Sequence, residues 1–169
     1  NAALPAFVAE KYKNSRIVVF SSGNTYPLVP VNGGGCTELD KQAPIGEYAM
    51  SCLARERVFE YGANTYGTKV FIYRLNFAVD LRYGVIYDIA DNILNHRPIS
   101  LHTPLFNIIW QGSANEIAIR GLLHADNPVK KVNVTGPETL SVKKTAIELG
   151  KYLGIEPIFE GEEGFLKCM

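Results

Sequence analysis

A tyrosine and a cysteine one helical turn apart, downstream of a serine at the end of an apolar run, are the residues best suited to chemistry. Tyr48 and Cys52 lie four positions apart, and Ser22 follows the apolar run 17–20. Positions i and i+4 of a helix share a face. A tyrosine has an ordinary pKa of about 10 and is a poor base at neutral pH. A nearby cation would lower that pKa by stabilising the phenolate, and a serine hydroxyl could then orient a substrate oxygen during proton transfer.

The elements that must position these residues alternate between strands and helices. The sequence predicts helices at residues 4–12, 45–61, 85–95, 114–124 and 139–154, and strands at residues 16–21, 68–75, 106–110, 131–134 and 155–160. Gly62 is the predicted stop of the second helix, and Ser141 and Gly154 are the predicted caps of the last. The segment 23–43, rich in glycine and proline, is a predicted loop. This alternation predicts an α/β fold with a mostly parallel sheet covered on its faces.

The order and spacing of these segments resemble the extended short-chain dehydrogenases/reductases of the NAD-dependent epimerase/dehydratase family. Ser22 ends a strand, Tyr26 follows four residues later, and Tyr48 lies on the next helix. The segment 71–76 is similar to the family strand that ends beside the nicotinamide. The segment 131–142 is similar to the late family segment in which a strand leads through a glycine turn into a helix of the substrate domain. The resemblance runs along nearly the whole chain.

The resemblance implies a Rossmann-like doubly wound parallel sheet, of which this chain holds the second half only, with part of a small C-terminal substrate domain. Such a fold opens with a glycine-rich turn between a strand and a helix. The glycines at 33–35 follow no predicted strand and open no helix, so we expect a C-terminal portion of a larger protein. Residues 1–80 would form the second half of the nucleotide-binding domain. Residues 81–169 would form interleaved substrate-domain segments and the last sheet strands.

The resemblance also implies roles for individual residues. Ser22 would position the substrate oxygen, and Tyr48 would be the catalytic acid/base. NAD or NADP would lie against Tyr48, Leu75 and Asn76, and the substrate would be a nucleotide-sugar-like small molecule bound by Ser22. Arg82 could reach a substrate phosphate. The alternative interpretation is that Arg82 is an ordinary surface arginine.

The departure from the family pattern lies at Cys52, which stands at the catalytic position of the family lysine. A neutral thiol supplies no charge, and a thiolate would raise the pKa of Tyr48. Arg55 lies one turn further and is offset along the helix, so we expect at most partial compensation. The segment 105–112 also lacks the Arg-Asp start and the later aspartate that the family often has. In the structural alternatives, Tyr48 packs on an amphipathic helix and Cys52 is a small buried apolar residue.

Two functions therefore remain open. One is an NAD(P)-dependent sugar-nucleotide epimerase/dehydratase-like oxidoreductase, impaired because Cys52 replaces the lysine. The other is a non-catalytic dinucleotide-binding or interaction protein of the same fold; an incomplete chain without activity of its own is a third alternative. Family members often form homodimers through the tyrosine-bearing helix and the helix before it. The stripe Met50, Ala54 and Tyr61 is compatible with such a homodimer.

The composition of the chain argues against several other classes of protein. The 169 residues are 47% hydrophobic and 20% charged, and their formal net charge is zero, so no basic stripe points to nucleic acid. No apolar run approaches the roughly 18–20 residues of a membrane span, and the N-terminal segment does not resemble a secretory signal. Three cysteines and three histidines are scattered without metal-type spacing. We therefore expect no metal, no disulfide framework and a reducing, cytoplasmic location.

Overall fold

The computed structural model describes residues 1–30 and 32–167, and the side chains of residues 1–30 and 32–165. Its helices are α1 (Ala3–Lys11), α2 (Glu47–Tyr66), α3 (Val85–Leu94), α4 (Gln111–His124) and α5 (Val142–Leu153). Its strands are β1 (Arg16–Ser22), β2 (Val29–Pro30), β3 (Lys69–Leu75), β4 (Ala78–Val79), β5 (Ile99–Ser100), β6 (Leu105–Asn107), β7 (Ile109–Trp110), β8 (Lys130–Val134), β9 (Thr139–Ser141), β10 (Phe159–Glu160) and β11 (Leu166–Lys167).

The chain forms two compact units that interleave along the sequence. The first comprises Asn1–Pro27, Cys36–Asn76 and Gly112–Val134, and the second comprises Leu28–Gly35, Phe77–Gln111 and Thr135–Met169. Each unit is therefore assembled from three separate stretches of chain. Within the described residues, no helix is both long and apolar enough to cross a bilayer.

The first unit is built on a parallel sheet in the strand order β1, β3, β8. Ser22 lies beside Leu75, and Leu75 lies beside Val134. The carboxyl ends of the three strands therefore meet at one edge of the sheet. In open parallel sheets, ligands bind at this edge.

Both faces of this sheet are covered by helices. On one face, α1 and α2 bury alternate strand residues in a core of Ala9, Val19, Phe59, Ala63, Val70 and Ile72. On the other face, α4 approaches so closely that a Cβ on Gly121 would lie 2.8 Å from Cδ1 of Phe71. Strand side chains alternate between faces, so the apolar strands need cover on both sides. The prediction of an α/β fold with a parallel sheet is confirmed.

The second unit has its own core between α3 and α5. The core residues are Ile89, Ile93, Ile99, Leu101, Phe106, Val142 and Ala146. Its strands form short pairs: β4 with β7 and β5 with β10 in parallel, and β6 with β9 and β2 with β11 antiparallel. Helix α5 has its predicted caps, because Ser141 Oγ accepts from the Lys144 amide and Gly154 adopts the left-handed conformation.

The predicted stop of the second helix at Gly62 is wrong. Helix α2 continues to Tyr66 and ends at Gly67, whose φ of 72° suits a left-handed cap. Gly62 is buried within the helix, where an added Cβ would lie 3.2 Å from the Ala9 Cβ. That glycine serves the close approach of α1 rather than a helix end.

Four other predicted elements differ from the structure. Residues 106–110 are not one strand, since β6 pairs with β9 while β7 pairs with β4. Residues 139–141 belong to β9, so α5 begins only at Val142. The predicted strand 155–160 shortens to Phe159–Glu160, because the Ile155 amide caps α5 by donating to the Gly150 carbonyl. The predicted loop 23–43 contains a 3-10 turn (Gly23–Thr25) and β2.

Candidate active site

Ser22 ends β1 at the carboxyl edge of the parallel sheet. Its side chain is almost fully buried and caps the 3-10 turn that follows, because Oγ accepts a hydrogen bond of 3.2 Å from the Asn24 amide. Its main-chain oxygen accepts from the Thr25 hydroxyl at 3.0 Å. Both contacts hold the serine rigidly and leave its hydroxyl proton available for another acceptor.

Tyr48 lies in the first turn of α2 and is 60% exposed. Partial burial raises the pKa of its phenol, and the charge and hydrogen bonding of Cys52 raise the pKa further. Hydrogen bonding by the Ser22 side chain and the positive charge of Arg55 lower the pKa, but the net shift is upward. The structure thus brings Ser22, Tyr48 and Cys52 together, as the spacing on strand and helix predicts.

Cys52 is fully buried beneath this site. Its sulfur accepts a hydrogen bond from Arg55 Nη2 at 3.5 Å, and Arg55 Nη1 donates to the main-chain oxygen of Phe20. The arginine therefore reaches back one turn along α2 toward β1. From sequence alone its offset along the helix hides this reach, because the position of the Cα says little about a side chain of this length.

A buried ion pair lies directly behind the site and was not predicted from the sequence. Arg74 Nε and Nη2 donate to the two carboxylate oxygens of Glu56 at 3.0 and 2.8 Å, and the two side chains are 1% and 0% exposed. The Ser21 hydroxyl donates to Glu56 Oε1 at 2.5 Å, and Gln42 Nε2 donates to Oε2 at 3.0 Å. Burial alone would raise the pKa of Glu56, but these hydrogen bonds and the Arg74 charge bring it below its ordinary value.

The same network extends to Tyr26. Arg74 Nη1 donates to the Tyr26 oxygen, and Arg74 Cζ lies over the Tyr26 ring, 5.1 Å from its centroid. The Tyr26 hydroxyl donates to Asn133 Oδ1 at 2.9 Å. Burial raises the pKa of Tyr26 despite the lowering effect of Arg74. A signal for the network was present in the sequence. Arg74 interrupts an apolar strand, and Glu56 occupies the same helical stripe as Ala49, Cys52 and Phe59.

Leu75 ends β3 beside Ser22, and Asn76 follows it. The Asn76 amide donates to the Val134 carbonyl at 2.9 Å, which ties the ends of β3 and β8. The Asn76 side chain is 4% exposed, and among the described residues its Nδ2 has no hydrogen-bond partner. A buried amide donor without a partner is costly. The unpartnered donor lies where β3 and β8 end, at the carboxyl edge of the sheet.

Arg82 lies in the second unit on an exposed turn. Its side chain is 84% exposed and pairs with Asp80 Oδ1 at 3.4 Å. This contact is a surface ion pair of small energetic consequence. Among the described residues, no cluster of histidine, cysteine and acidic side chains could hold a metal ion.

Solved structures of sugar-nucleotide enzymes have the same fold. UDP-glucose 4-epimerase of Thermus thermophilus, in complex with NAD, matches 95% of this chain with a TM-score of 0.76 and 19% identity. UDP-glucuronic acid 4-epimerase of Bacillus cereus, in complex with NAD, matches 98% with a TM-score of 0.79 and 15% identity. The dTDP-glucose 4,6-dehydratase of Bacillus anthracis, also with NAD, matches 95% with a TM-score of 0.74 and 17% identity.

These matches define the class of fold. The chain has the Rossmann-type α/β fold of these NAD-bound enzymes, and it spans 54–55% of the length of these three proteins. No protein-family model and no curated protein matches the sequence.

Proposed function

We propose that this chain carries the catalytic strand and helix of an NAD(P)-dependent oxidoreductase of the sugar-nucleotide epimerase/dehydratase type. The observation that carries the proposal is the pairing of Ser22 with the Tyr48 phenol at the carboxyl edge of the parallel sheet. The likeness of this fold to those of enzymes solved with NAD or with UDP-sugars supports a dinucleotide and a nucleotide sugar as ligands. Residues 1–80 would belong to the second half of the nucleotide-binding domain, and 81–169 to substrate-domain segments and the last sheet strands.

The residues would act as follows. Ser22 would hold the oxygen of a sugar hydroxyl, and Tyr48 would accept the hydroxyl proton as the C–H bond breaks. The bound nicotinamide would supply the acceptor for the hydride. Leu75 and Asn76 would line the cofactor, with Asn76 Nδ2 donating to a polar atom of the ligand. Arg82 would bind a substrate phosphate, for which its exposed guanidinium is accessible.

Three measurements test the proposal. Titration of the full-length protein with NAD and with NADP should give saturable binding of at least one of them. Incubation with UDP-glucose, UDP-glucuronic acid or dTDP-glucose should then give turnover that Tyr48→Phe abolishes. Tyr61→Phe, an exposed tyrosine on the same helix, is the matched control and should retain turnover. Equal turnover in Tyr48→Phe and Tyr61→Phe would refute the role of Tyr48.

The second candidate function is dinucleotide binding without turnover, and it is favoured by a specific observation. Cys52 raises the pKa of Tyr48, which opposes proton acceptance at neutral pH. Cys52→Lys separates the two candidates. It should increase turnover if the site is otherwise intact, because an ammonium lowers the pKa of a nearby phenol. Unchanged, negligible turnover in the full-length variant that still binds NAD would favour the non-catalytic function.

We also propose a homodimer formed through α1 and α2. Leu4 and Phe7 on α1, and Met50 and Tyr61 on α2, are large exposed apolar side chains. A groove of about 390 Å³ runs between the two helices. A second copy of the chain would cover this surface. We also propose a cytoplasmic location, with which a reduced thiol at Cys52 accords. Sedimentation at micromolar concentration should show a dimer that Met50→Glu dissociates. A monomer at that concentration would refute the arrangement.

A further inference from the structure

Arg55 occupies an unusual place beside the candidate active site. Its guanidinium lies between the C-terminal part of β1 and the buried face of α2, where Nη1 donates to the Phe20 carbonyl and Nη2 donates to Cys52 Sγ at 3.5 Å. The carbonyl belongs to the residue two positions before Ser22. The two contacts hold both ends of the guanidinium fork in one orientation.

We propose that Arg55 is a positioning residue that supplies the positive charge beside the Tyr48 phenol, held in place by the Phe20 carbonyl and the Cys52 thiol. The inference rests on the proposed function of Tyr48 in proton transfer. The charge would favour the phenolate after the phenol has released its proton, and Arg55 itself would contact neither substrate nor cofactor.

The residue at position 52 makes this arrangement feasible. A thiol is small, uncharged when protonated, and a weak acceptor for an N–H donor. A lysine at the same position would displace the guanidinium from this contact by like-charge repulsion and would supply the cation itself, so Cys52→Lys is still expected to increase turnover. With Cys52, the site therefore lacks the ammonium of the family lysine but has room for the guanidinium of Arg55 from the next turn. Arg55 contacts Cys52, which lies one turn after Tyr48 on the same face of α2. Burial and Cys52 raise the pKa of Tyr48, and the guanidinium charge opposes that rise.

The test is the pKa of Tyr48, read from the near-ultraviolet absorbance of tyrosinate. The difference between the unmodified protein and Tyr48→Phe isolates the Tyr48 transition from those of the other tyrosines. Arg55→Met should move this transition to higher pH. Arg55→Gln should do the same while keeping a donor for the Phe20 carbonyl, and Arg55→Lys should move it less because the charge remains.

The matched control is Arg57→Met. Arg57 lies on the same helix two positions further, and its guanidinium pairs with Glu60 at 2.6 Å on the exposed surface. Its removal should leave the Tyr48 transition in place. Circular dichroism reports whether each variant folds. The comparison uses whichever of Arg55→Met and Arg55→Gln folds. If the Tyr48 transition lies at the same pH in that variant and in Arg57→Met, the inference is overturned.

Activity separates this inference from the proposed function. If the protein turns over a sugar nucleotide, the acid-side limb of its pH–rate profile should move with the Tyr48 transition, by about tenfold in rate for each pKa unit. A shifted transition without turnover in any variant would support Arg55 and refute the catalytic proposal. Turnover whose pH profile is the same in Arg55→Met and Arg57→Met would refute Arg55 alone.

Discussion

Replacing Glu56 with glutamine removes one charge from the ion pair behind the site while preserving the size of the side chain. Arg74 then remains 1% exposed without its counter-ion. A glutamine oxygen can still accept from one arginine N–H. Its amide nitrogen, however, must take the place of a carboxylate oxygen that now accepts from other side chains. If that nitrogen replaces Oε2, it opposes the donors of both Arg74 and Gln42.

The expected loss of stability follows from the burial of both partners. Removing one member of a buried ion pair typically costs about 3–5 kcal/mol, because the remaining charge is left uncompensated. For a chain of this length, a loss of about 1 kcal/mol lowers the melting temperature by about 2–4 °C. We therefore expect Glu56→Gln to lower the melting temperature by about 6–20 °C.

Thermal and urea denaturation, with Glu60→Gln as the control, measure this effect. Glu60 lies one turn further on α2 and pairs with Lys131 at 2.5 Å and with Arg57. The side chains of Glu60, Lys131 and Arg57 are 17%, 30% and 58% exposed, respectively. The loss of the Glu60 charge should therefore cost about 1 kcal/mol or less. The double variant Glu56→Gln/Arg74→Met should regain part of the loss, since no unpaired charge remains. A cost for Glu56→Gln no larger than that for Glu60→Gln would refute the reasoning.

The pH dependence of the effect has a definite sign. The pKa of Glu56 is lower in the folded chain than its ordinary value of 4.5. A carboxyl group with a lowered pKa stabilises the fold above its unfolded pKa, and that stabilisation disappears as the pH falls through the folded pKa. The difference in stability between the unmodified protein and Glu56→Gln should therefore be full at neutral pH and shrink in acid.

Three further predictions concern the sheet and the helix caps. Burial raises the pKa of Tyr73 to about 12, and its hydroxyl donates to the Ala114 carbonyl at 2.9 Å. The neutral phenol thus stabilises the fold fully below pH about 10, and this stabilisation is lost as the pH rises through about 12. Tyr73→Phe should remove that alkaline loss and cost about 1 kcal/mol at neutral pH, measured by urea denaturation. Gly121→Val should lower the melting temperature clearly more than Gly34→Val, because a Cβ at 121 meets the Phe71 ring whereas nothing lies within 4 Å of one at 34; equal effects would contradict the close packing of α4. Ser141→Ala should cost about 1 kcal/mol by removing the cap of α5, and an unchanged urea midpoint would contradict this.

The sequence predicted the fold class because its signals are local. The β-branched run from Ile17 to Val19 and the strand–helix alternation require no knowledge of distant contacts. Boundaries failed where distant contacts decide. Gly62 looks like a helix stop until α1 is known to pack on it, and residues 106–110 look like one strand until their separate partners are known.

The candidate site divides in the same way. Ser22 and Tyr48 could be placed together because the end of a strand and the start of the next helix lie on one edge of a parallel sheet. In the sequence, Arg74 inside an apolar strand and Glu56 in the buried stripe of α2 indicate two buried charges, but nothing in two residues 18 positions apart shows that they pair with each other. The reach of Arg55 depends on side-chain conformation, which residue spacing does not reveal.

Together with the Ser21 donor on β1, the pair of Glu56 with Arg74 on β3 stabilises one arrangement of α2 on these two strands more than it stabilises the fold as such. Two well-packed apolar side chains of similar volume would give comparable stability. They would, however, tolerate small shifts of the helix along the strand that a carboxylate with four donors would not. Ser21, one of those donors, is the neighbour of Ser22, and Glu56 lies two turns after Tyr48 on the same helix. A shift of α2 by one residue would leave the buried carboxylate without its partners, at a cost of several kcal/mol, on the order of that for a broken buried pair. The relative position of the serine hydroxyl and the phenol therefore depends on a charge that touches neither of them.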